Sequence, residues 1–182
     1  MKKLIFGLLI LGSVLIFAAD EKRVPIEKVE LNQQTSLVYL QGQQIPFTGI
    51  VEKKFPNGKI EATMNFKDGK LHGKTITYYE NGNMRSDENF IDGIAQGISK
   101  TFYENGQVEY ETNFKNSQRE GIEKAYSKTG ILLSEVPFKD DNATGLVKLY
   151  NEQTGKLEYE TNIVNGVRNG LSKKYYPSGK LL

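Results

Sequence analysis

The sequence of 182 residues contains no cysteine and no tryptophan, and His72 is its single histidine. Without cysteine there is neither a disulfide framework nor a thiolate metal site. A lone histidine argues against a zinc centre, which needs several His or Cys ligands, and against Ser-His or Cys-His catalysis. We therefore expect no cofactor, no metal site and no catalytic residues.

The first residues, MKKLIFGLLILGSVLIFAAD, have the pattern of a secretory signal peptide. Lys2 and Lys3 precede an apolar run from Leu4 to Phe17, which is short for a transmembrane helix of about 20 residues. We predict a signal helix over residues 1–19, with an uncleaved membrane anchor as the alternative because bulky residues lie near the cleavage end. The protein is therefore expected outside the cytoplasm, in the periplasm, at the cell surface or secreted.

The balance of positive and negative residues limits the classes of partner that the protein can attract by charge. The chain has 24 Lys and Arg residues against 22 Asp and Glu residues, and the counts become equal without Lys2 and Lys3. A neutral protein has no global field that attracts DNA, RNA or an anionic membrane. We expect no nucleic-acid partner, and membrane contact only through an uncleaved N-terminal segment.

A glycine recurs at a spacing of 24 or 25 residues, and this spacing reveals an internal repeat. Its members are Gly49, Gly73, Gly97, Gly121, Gly145 and Gly170. With this glycine as position 0, position 5 is aromatic in all units but the first, position 11 is aliphatic or Met, and position 17 is Phe in four units. Residues 37–182 are predicted to form an array of six units, the last one incomplete, and residues 20–36 a polar linker.

Each unit has the pattern of a β-hairpin. Val108, Tyr110, Thr112 and Phe114 alternate with polar residues, as in a half-buried strand. The motifs PNG, ENG and PSG at positions 7–9 predict a three-residue loop, in which a type I turn is followed by a left-handed glycine. This loop pairs position 5 with position 11, whereas the alternative, a two-residue type I′ turn, does not.

The second turn, at positions 18–20, is expected to be similar, and the glycine at position 0 to leave room for a neighbouring ring. A single hairpin is marginally stable, but hairpins in series share one sheet. The predicted fold is therefore all-β: an elongated, twisted antiparallel sheet of tandem hairpins.

The candidate partner-binding surface follows from strict alternation, which places all even positions on one face. That face would carry a row of aromatic rings at position 6, edged by carboxylates. The candidate residues are Phe55, Tyr79, Tyr103, Tyr176, Glu109, Glu111, Glu158 and Glu160. Exposed aromatic residues anchor protein interfaces. The alternative is that the rings cover the sheet while the carboxylates keep it soluble.

The repeat columns, of the form G-x(4)-[YF]-[YF]-x-N-G-x-[hydrophobic]-x(5)-F-x-[DN]-G, resemble MORN repeats of the bacterial variant with a central ENG or PNG turn. The IPFTG motif ahead of them resembles YwqK-type proteins, which are described as antitoxins or immunity proteins. The resemblance covers about residues 37–182 and implies a binding or scaffolding role without catalysis. We expect an exported, non-enzymatic protein that binds another protein, an immunity protein being one version. The alternative is a cell-surface module that contacts a glycan, lipid or host partner.

Overall fold

The computed structural model of the protein describes residues 22–182, and the signal helix predicted for residues 1–19 lies outside this range. The described chain is almost entirely β-structure, and its one helical segment is the 3₁₀ turn Ile26–Lys28. The strands are β1 (Arg23–Pro25), β2 (Val29–Asn32), β3 (Leu37–Leu40), β4 (Gly49–Lys54), β5 (Ile60–Lys67), β6 (Lys70–Tyr78), β7 (Met84–Ile91), β8 (Ile94–Ala95), β9 (Gly97–Phe102), β10 (Val108–Lys115), β11 (Gln118–Arg119), β12 (Gly121–Tyr126), β13 (Leu132–Lys139), β14 (Asn142–Ala143), β15 (Gly145–Tyr150), β16 (Leu157–Val164) and β17 (Val167–Lys174). Within residues 22–182, no helix has the length and apolarity that crossing a membrane requires.

Fifteen of the strands form one long sheet, which confirms the prediction of tandem hairpins in a mostly antiparallel sheet. Its order is β1-β4-β5-β6-β7-β9-β10-β12-β13-β15-β16-β17, and the short strands β8, β11 and β14 pair with β7, β10 and β13. Every pair is antiparallel except β1 with β4, which is parallel. Each repeat therefore adds two long strands to the sheet, and each hairpin is stabilised by its neighbours.

The first turn of the repeat has the predicted three-residue loop. In the second repeat the Tyr79 N–H donates to the Asn83 carbonyl, and the Gly82 N–H donates to the Tyr79 carbonyl, both at 2.9 Å. Gly82 has a φ of 95°, in the left-handed region, and Tyr78 pairs with Met84. This geometry is a type I turn closed by a left-handed glycine, and it places the position-5 ring beside its position-11 partner.

The second turn is tighter than predicted. Ile91 pairs directly with Ile94, which leaves Asp92 and Gly93 as a two-residue loop. Their φ angles are both positive, 52° and 84°. Two successive residues with positive φ define a type I′ turn, which Asp-Gly favours because Asp tolerates that region and Gly has no Cβ to clash. The expectation that the two turns are alike is therefore wrong.

The glycine at position 0 is required by its backbone conformation. Its φ is positive in all six repeats, between 79° at Gly97 and 143° at Gly49. A Cβ added at Gly97, Gly121 or Gly170 would meet no atom of residues 22–182 within 4 Å, so room for a neighbouring ring is not the reason at these positions. Gly97 and Gly121 instead lie at the junction between a short strand and the long strand that follows it, and Gly170 lies within β17 where the register of the ladder shifts.

The segment predicted as a polar linker, residues 20–36, is part of the folded structure from Lys22 onward. β1 pairs with β4, and the Ile50 N–H donates to the Lys22 carbonyl at 2.8 Å. β2 pairs with β3 in a separate two-stranded sheet. A Cβ on Gly49 would lie 2.3 Å from the Lys22 carbonyl oxygen, so glycine at this position lets the segment approach. The polar sequence of the segment does not indicate this pairing, because the partner strand β4 lies further along the chain, in the first repeat.

Phe47 closes the first repeat on its N-terminal side. Its side chain is 3% exposed, and its ring centroid lies 6.3 Å from that of Phe66. Its N–H donates to the Val38 carbonyl, and its carbonyl accepts from the Gly69 N–H, both at 2.8 Å. Phe47 thus takes the role that position 22 of a preceding repeat has in the rest of the array.

Candidate functional site

A β-bulge in the second strand of every complete repeat decides which side chains share a face. In the third repeat Phe102 pairs with Val108 but Thr101 pairs with Tyr110, which makes Glu109 an extra residue. The other four complete hairpins have the same shift. One extra residue inverts the alternation of the side chains beyond it. Positions 13, 15 and 17 therefore lie with positions 0, 2 and 4, while positions 14 and 16 lie with positions 1, 3 and 5.

We call the two surfaces of the sheet the Phe face and the Tyr face. The Phe face comprises positions 0, 2, 4, 13, 15 and 17 and is named after Phe66, Phe90, Phe114 and Phe138. The Tyr face comprises positions 1, 3, 5, 11, 14 and 16 and is named after Tyr78, Tyr126, Tyr150 and Tyr175. Most buried side chains of the repeats belong to the Phe face: Val51, Ala62, Ser86, Thr112, Val147 and Thr161.

The bulge divides the predicted partner-binding residues. Glu111 and Glu160, at position 14, lie on the Tyr face, where each pairs with a lysine: Lys100 at 3.1 Å and Lys173 at 2.9 Å. The Tyr175 hydroxyl also donates to Glu160 at 2.9 Å. Hydrogen bonds from Lys173 and then from Tyr175 lower the pKa of Glu160. The predicted single face is therefore wrong for these two carboxylates, because strict alternation ends at the bulge.

The other predicted residues occupy positions 6 and 12, beside the first turns at one end of the Phe face. They are Phe55, Tyr79, Tyr103, Tyr176, Glu109 and Glu158. The Tyr79 hydroxyl donates to the Phe102 carbonyl at 2.7 Å, and the Tyr103 hydroxyl donates to the Tyr126 carbonyl at 2.9 Å. Burial, and next the charge of Glu109, raise the pKa of Tyr103. Tyr79 and Tyr103 thus join successive repeats, while Tyr176 is 51% exposed.

The Phe face contains an open cavity of about 630 Å³, which extends from the second repeat to the fourth. Phe90 and Phe114 line one side and Tyr110 the other, with Ser99 and Thr112 paired across the ladder between them. Tyr110 is 43% exposed. The cavity therefore offers ring surfaces and hydroxyl groups together, the combination found in many binding sites.

Two carboxylates stand at opposite ends of this cavity, Glu88 on β7 and Glu123 on β12. The Thr112 hydroxyl donates to Glu123 at 2.9 Å, and the Arg119 guanidinium lies 3.8 Å from it. Arg119 also lies 3.9 Å from the ring centroid of Phe138. Glu123 is thus compensated from within the chain. Glu88 has no basic nitrogen within 4 Å among residues 22–182.

A comparison with known protein families matches the family described as MORN repeat variant. The matched segments are residues 47–68, 71–92, 95–116, 119–140 and 168–182, which together make up more than half of the chain. The chain belongs to the MORN repeat variant family. A comparison with curated proteins finds no match. Each matched MORN segment begins two residues before a position-0 glycine, and the first four segments follow one another at a spacing of 24 residues.

The MORN repeat between the last two matched segments has the same fold as its neighbours. β15 pairs with β16 in the register of the other hairpins, with Tyr150 opposite Leu157. This repeat is one residue longer than the other complete repeats, because Gly145 and Gly170 are 25 residues apart. The extra residue lengthens the first turn, where the Asn151 N–H donates to the Lys156 carbonyl at 2.8 Å and the Gly155 N–H to the Asn151 carbonyl at 2.7 Å. The MORN array therefore continues without a break from β4 to β17.

The Tyr face of the MORN repeats combines ion pairs with exposed aliphatic side chains. The Tyr150 hydroxyl donates to Glu135 at 2.8 Å, and burial together with this hydrogen bond raises the pKa of Tyr150 to about 12. Position 1 of four consecutive repeats carries an exposed aliphatic residue, namely Ile98, Ile122, Leu146 and Leu171. These four side chains form a second exposed surface, which lies on the face of the sheet opposite the cavity.

The cavity residues Glu88, Phe90, Tyr110 and Phe114 were not predicted as a site from the sequence. The Phe column at position 17 was visible, but its relation to Tyr110 depends on the bulge. Glu88 could have been noticed in the sequence, because the other complete repeats have an uncharged residue at position 15. A charged residue in an otherwise uncharged column of a repeat marks a position that packing alone does not explain.

Proposed function

We propose that this MORN-repeat chain is a non-enzymatic binding protein that holds another protein on its Phe face. The observation that supports the proposal most is the cavity between Phe90 and Phe114 on one side and the half-exposed Tyr110 on the other. Aromatic side chains in partly open pockets are frequent anchors of protein interfaces. The rings stand on paired strands of one continuous sheet, so little backbone conformational entropy is lost when a partner binds.

The binding proposal is tested by exchanging one exposed side chain on each face. Tyr110→Ser changes the cavity, and Ile122→Ser changes the Tyr face at a residue of comparable exposure, 51% against 43%. Each full chain is immobilised, and the proteins captured from an extracytoplasmic extract are quantified. We expect Tyr110→Ser to lose a protein that the unaltered chain and Ile122→Ser both retain. Equal capture by all three contradicts the assignment to the Phe face.

We also propose that the protein is exported and is of the YwqK type, an immunity protein being one version. The basic and apolar N-terminal residues support export, and the IPFTG motif ahead of the first repeat supports the YwqK resemblance. A cytoplasmic antitoxin has no need of an export signal, so an immunity protein of this kind would act on a toxin outside the cytoplasm. Fractionation with N-terminal sequencing should find a chain beginning at Asp20 outside the cytoplasm. A cytoplasmic chain that retains Met1 contradicts export.

A cell-surface module that contacts a glycan is the second candidate, and the hydroxyl groups of the cavity favour it. Ser99 and Thr112 lie between the rings, and sugars are bound by rings and hydrogen-bonding groups together. A glycan array probed with the full chain should then give signals that Tyr110→Ser loses and Ile122→Ser keeps. Uniform background on the array removes this candidate.

A further inference from the structure

Glu88 is the feature of the cavity that protein binding in general does not explain. The other complete repeats have uncharged residues at position 15: Met64, Thr112, Val136 and Thr161. Glu88 is half-buried in the middle of β7, on the Phe face between Ser86 and Phe90. A charged group in such a place costs solvation free energy unless a partner compensates it.

The polar groups around Glu88 do not supply that partner. Its neighbour on the other face, Asp87, is paired with Lys74 at 2.6 Å, and no basic nitrogen of the described chain comes within 4 Å of Glu88. Thr75 lies opposite Glu88 in the ladder, and its buried hydroxyl has no hydrogen-bond partner among residues 22–182. The buried hydroxyl of Thr101, which lines the cavity, also has no partner within that range.

The aromatic rings that line the cavity add to the Glu88 carboxylate a second kind of group that attracts organic cations. Phe90, Tyr110 and Phe114 surround the same space as the Glu88 carboxylate. The faces of aromatic rings attract organic cations, and a carboxylate beside them adds direct charge pairing. Arg119, which lies 3.8 Å from the cavity carboxylate Glu123, is engaged by Asp141 at 3.3 Å and by the Phe138 ring. The cavity thus has the composition of a site for a cation, and residues 22–182 place no basic side chain in its lining.

We propose that this cavity binds a primary alkylammonium group, with the Glu88 carboxylate as its charge partner and the rings along its alkyl chain. The Glu88 carboxylate can accept hydrogen bonds from the three-donor ammonium group, and the aromatic rings can pack along the alkyl chain that carries it. The ammonium group belongs either to a lysine side chain of a bound protein or to a free polyamine. In the first case the inference rests on the proposed protein binding.

The direct test is a calorimetric titration of the full chain with cadaverine, an alkyl chain with a primary ammonium group at each end. Glu88→Gln keeps the shape of the side chain and removes its charge, and it should weaken cadaverine binding by about tenfold or more. Asp87→Asn removes a charge from the adjacent residue on the opposite face and should leave the affinity unchanged. 1-Pentanol, which has the alkyl chain without the charge, should not bind. Absence of saturable cadaverine binding, or equal affinity in Glu88→Gln, overturns the proposal.

Two further probes separate the sources of the ammonium group. An extended peptide with one lysine is compared with the same peptide carrying acetyl-lysine, and both are compared with spermidine. Tighter binding of the lysine peptide, lost on acetylation, assigns the site to a protein partner, and tighter binding of spermidine assigns it to a polyamine. If Tyr110→Ser loses protein capture while the unaltered chain binds none of these amines, the ammonium site fails and the proposed function stands.

Discussion

Removing the hydroxyls of Tyr79 and Tyr103 tests how successive repeats are joined. The second long strand of each repeat pairs with the first long strand of the next repeat. This pairing ends at position 4 of the next repeat, so the carbonyl at position 5 lies outside the ladder. The tyrosine hydroxyl at position 6 donates to that carbonyl, at 2.7 Å for Tyr79 and 2.9 Å for Tyr103. The double variant Tyr79→Phe/Tyr103→Phe keeps the rings and removes both bonds.

The expected loss follows from the energy of the two bonds. A hydrogen bond of this kind contributes about 0.5–1.5 kcal/mol, so the double variant should lose about 1–3 kcal/mol of unfolding free energy. For a chain of this size each kcal/mol lowers Tm by about 2–4 °C, which predicts a decrease of about 2–12 °C. In a linear array such losses weaken the coupling between units, so the urea transition should also broaden.

The assay is thermal and urea unfolding followed by far-ultraviolet circular dichroism. Tyr176→Phe is the matched control, because its ring occupies the same repeat position but is 51% exposed. We expect this control to unfold like the unaltered chain. If the double variant also unfolds like the unaltered chain, with the same Tm and the same urea slope, the two hydroxyls do not join the repeats.

Three further predictions concern titration and backbone conformation. Tyr150, with its pKa raised to about 12, should ionise after the other tyrosines in an absorbance titration, and Tyr150→Phe should remove that late component. Because the pKa of Tyr150 is higher in the folded state, the contribution of this residue to stability is complete below pH 10 and is lost as the pH rises through 12. Lys173→Met should raise the pKa of Glu160, which Lys173 lowers in the folded protein. The Glu160 carboxylate stabilises the fold above its unfolded pKa, so the variant should lose this stability at a higher pH than the unaltered chain during acid unfolding. Gly49→Ala should lower Tm more than Gly121→Ala, since both glycines have positive φ but the new Cβ contacts backbone only at the first. Equal Tm values for the two alanine variants, a normally titrating Tyr150, or an unchanged acid midpoint in Lys173→Met contradicts the respective prediction.

The sequence predicted the repeat and its first turn because both depend on local signals. Glycine at fixed spacing and the ENG motif are sufficient to define a hairpin with a three-residue loop, and the pairing of Tyr78 with Met84 confirms it. The second turn was harder, because Asp92-Gly93 suits either loop and the choice depends on the strand twist around it. The strand β1 was missed since its partner lies some 27 residues further along the chain, at Ile50 opposite Arg23.

The candidate site was predicted less well, and one residue per repeat explains the difference. The bulged residue at position 12 is Glu61, Arg85, Glu109, Leu133 or Glu158, and these side chains share no property that marks a bulge. Without the bulge, Glu111 appears beside Tyr103; with it, Glu111 pairs with Lys100 on the other face. Face assignments from alternation hold up to a bulge and fail beyond it, because every later side chain is inverted.

Whether a partner protein contacts the Phe face at the cavity can be measured by hydroxyl-radical footprinting of the full chain, alone and with a captured protein. Footprinting reports the solvent access of individual side chains. We expect the oxidation of Phe90, Tyr110 and Phe114 to fall in the complex while that of Ile98 and Ile122 on the Tyr face stays the same. Protection of the two isoleucines with unchanged oxidation of the three rings would contradict this expectation.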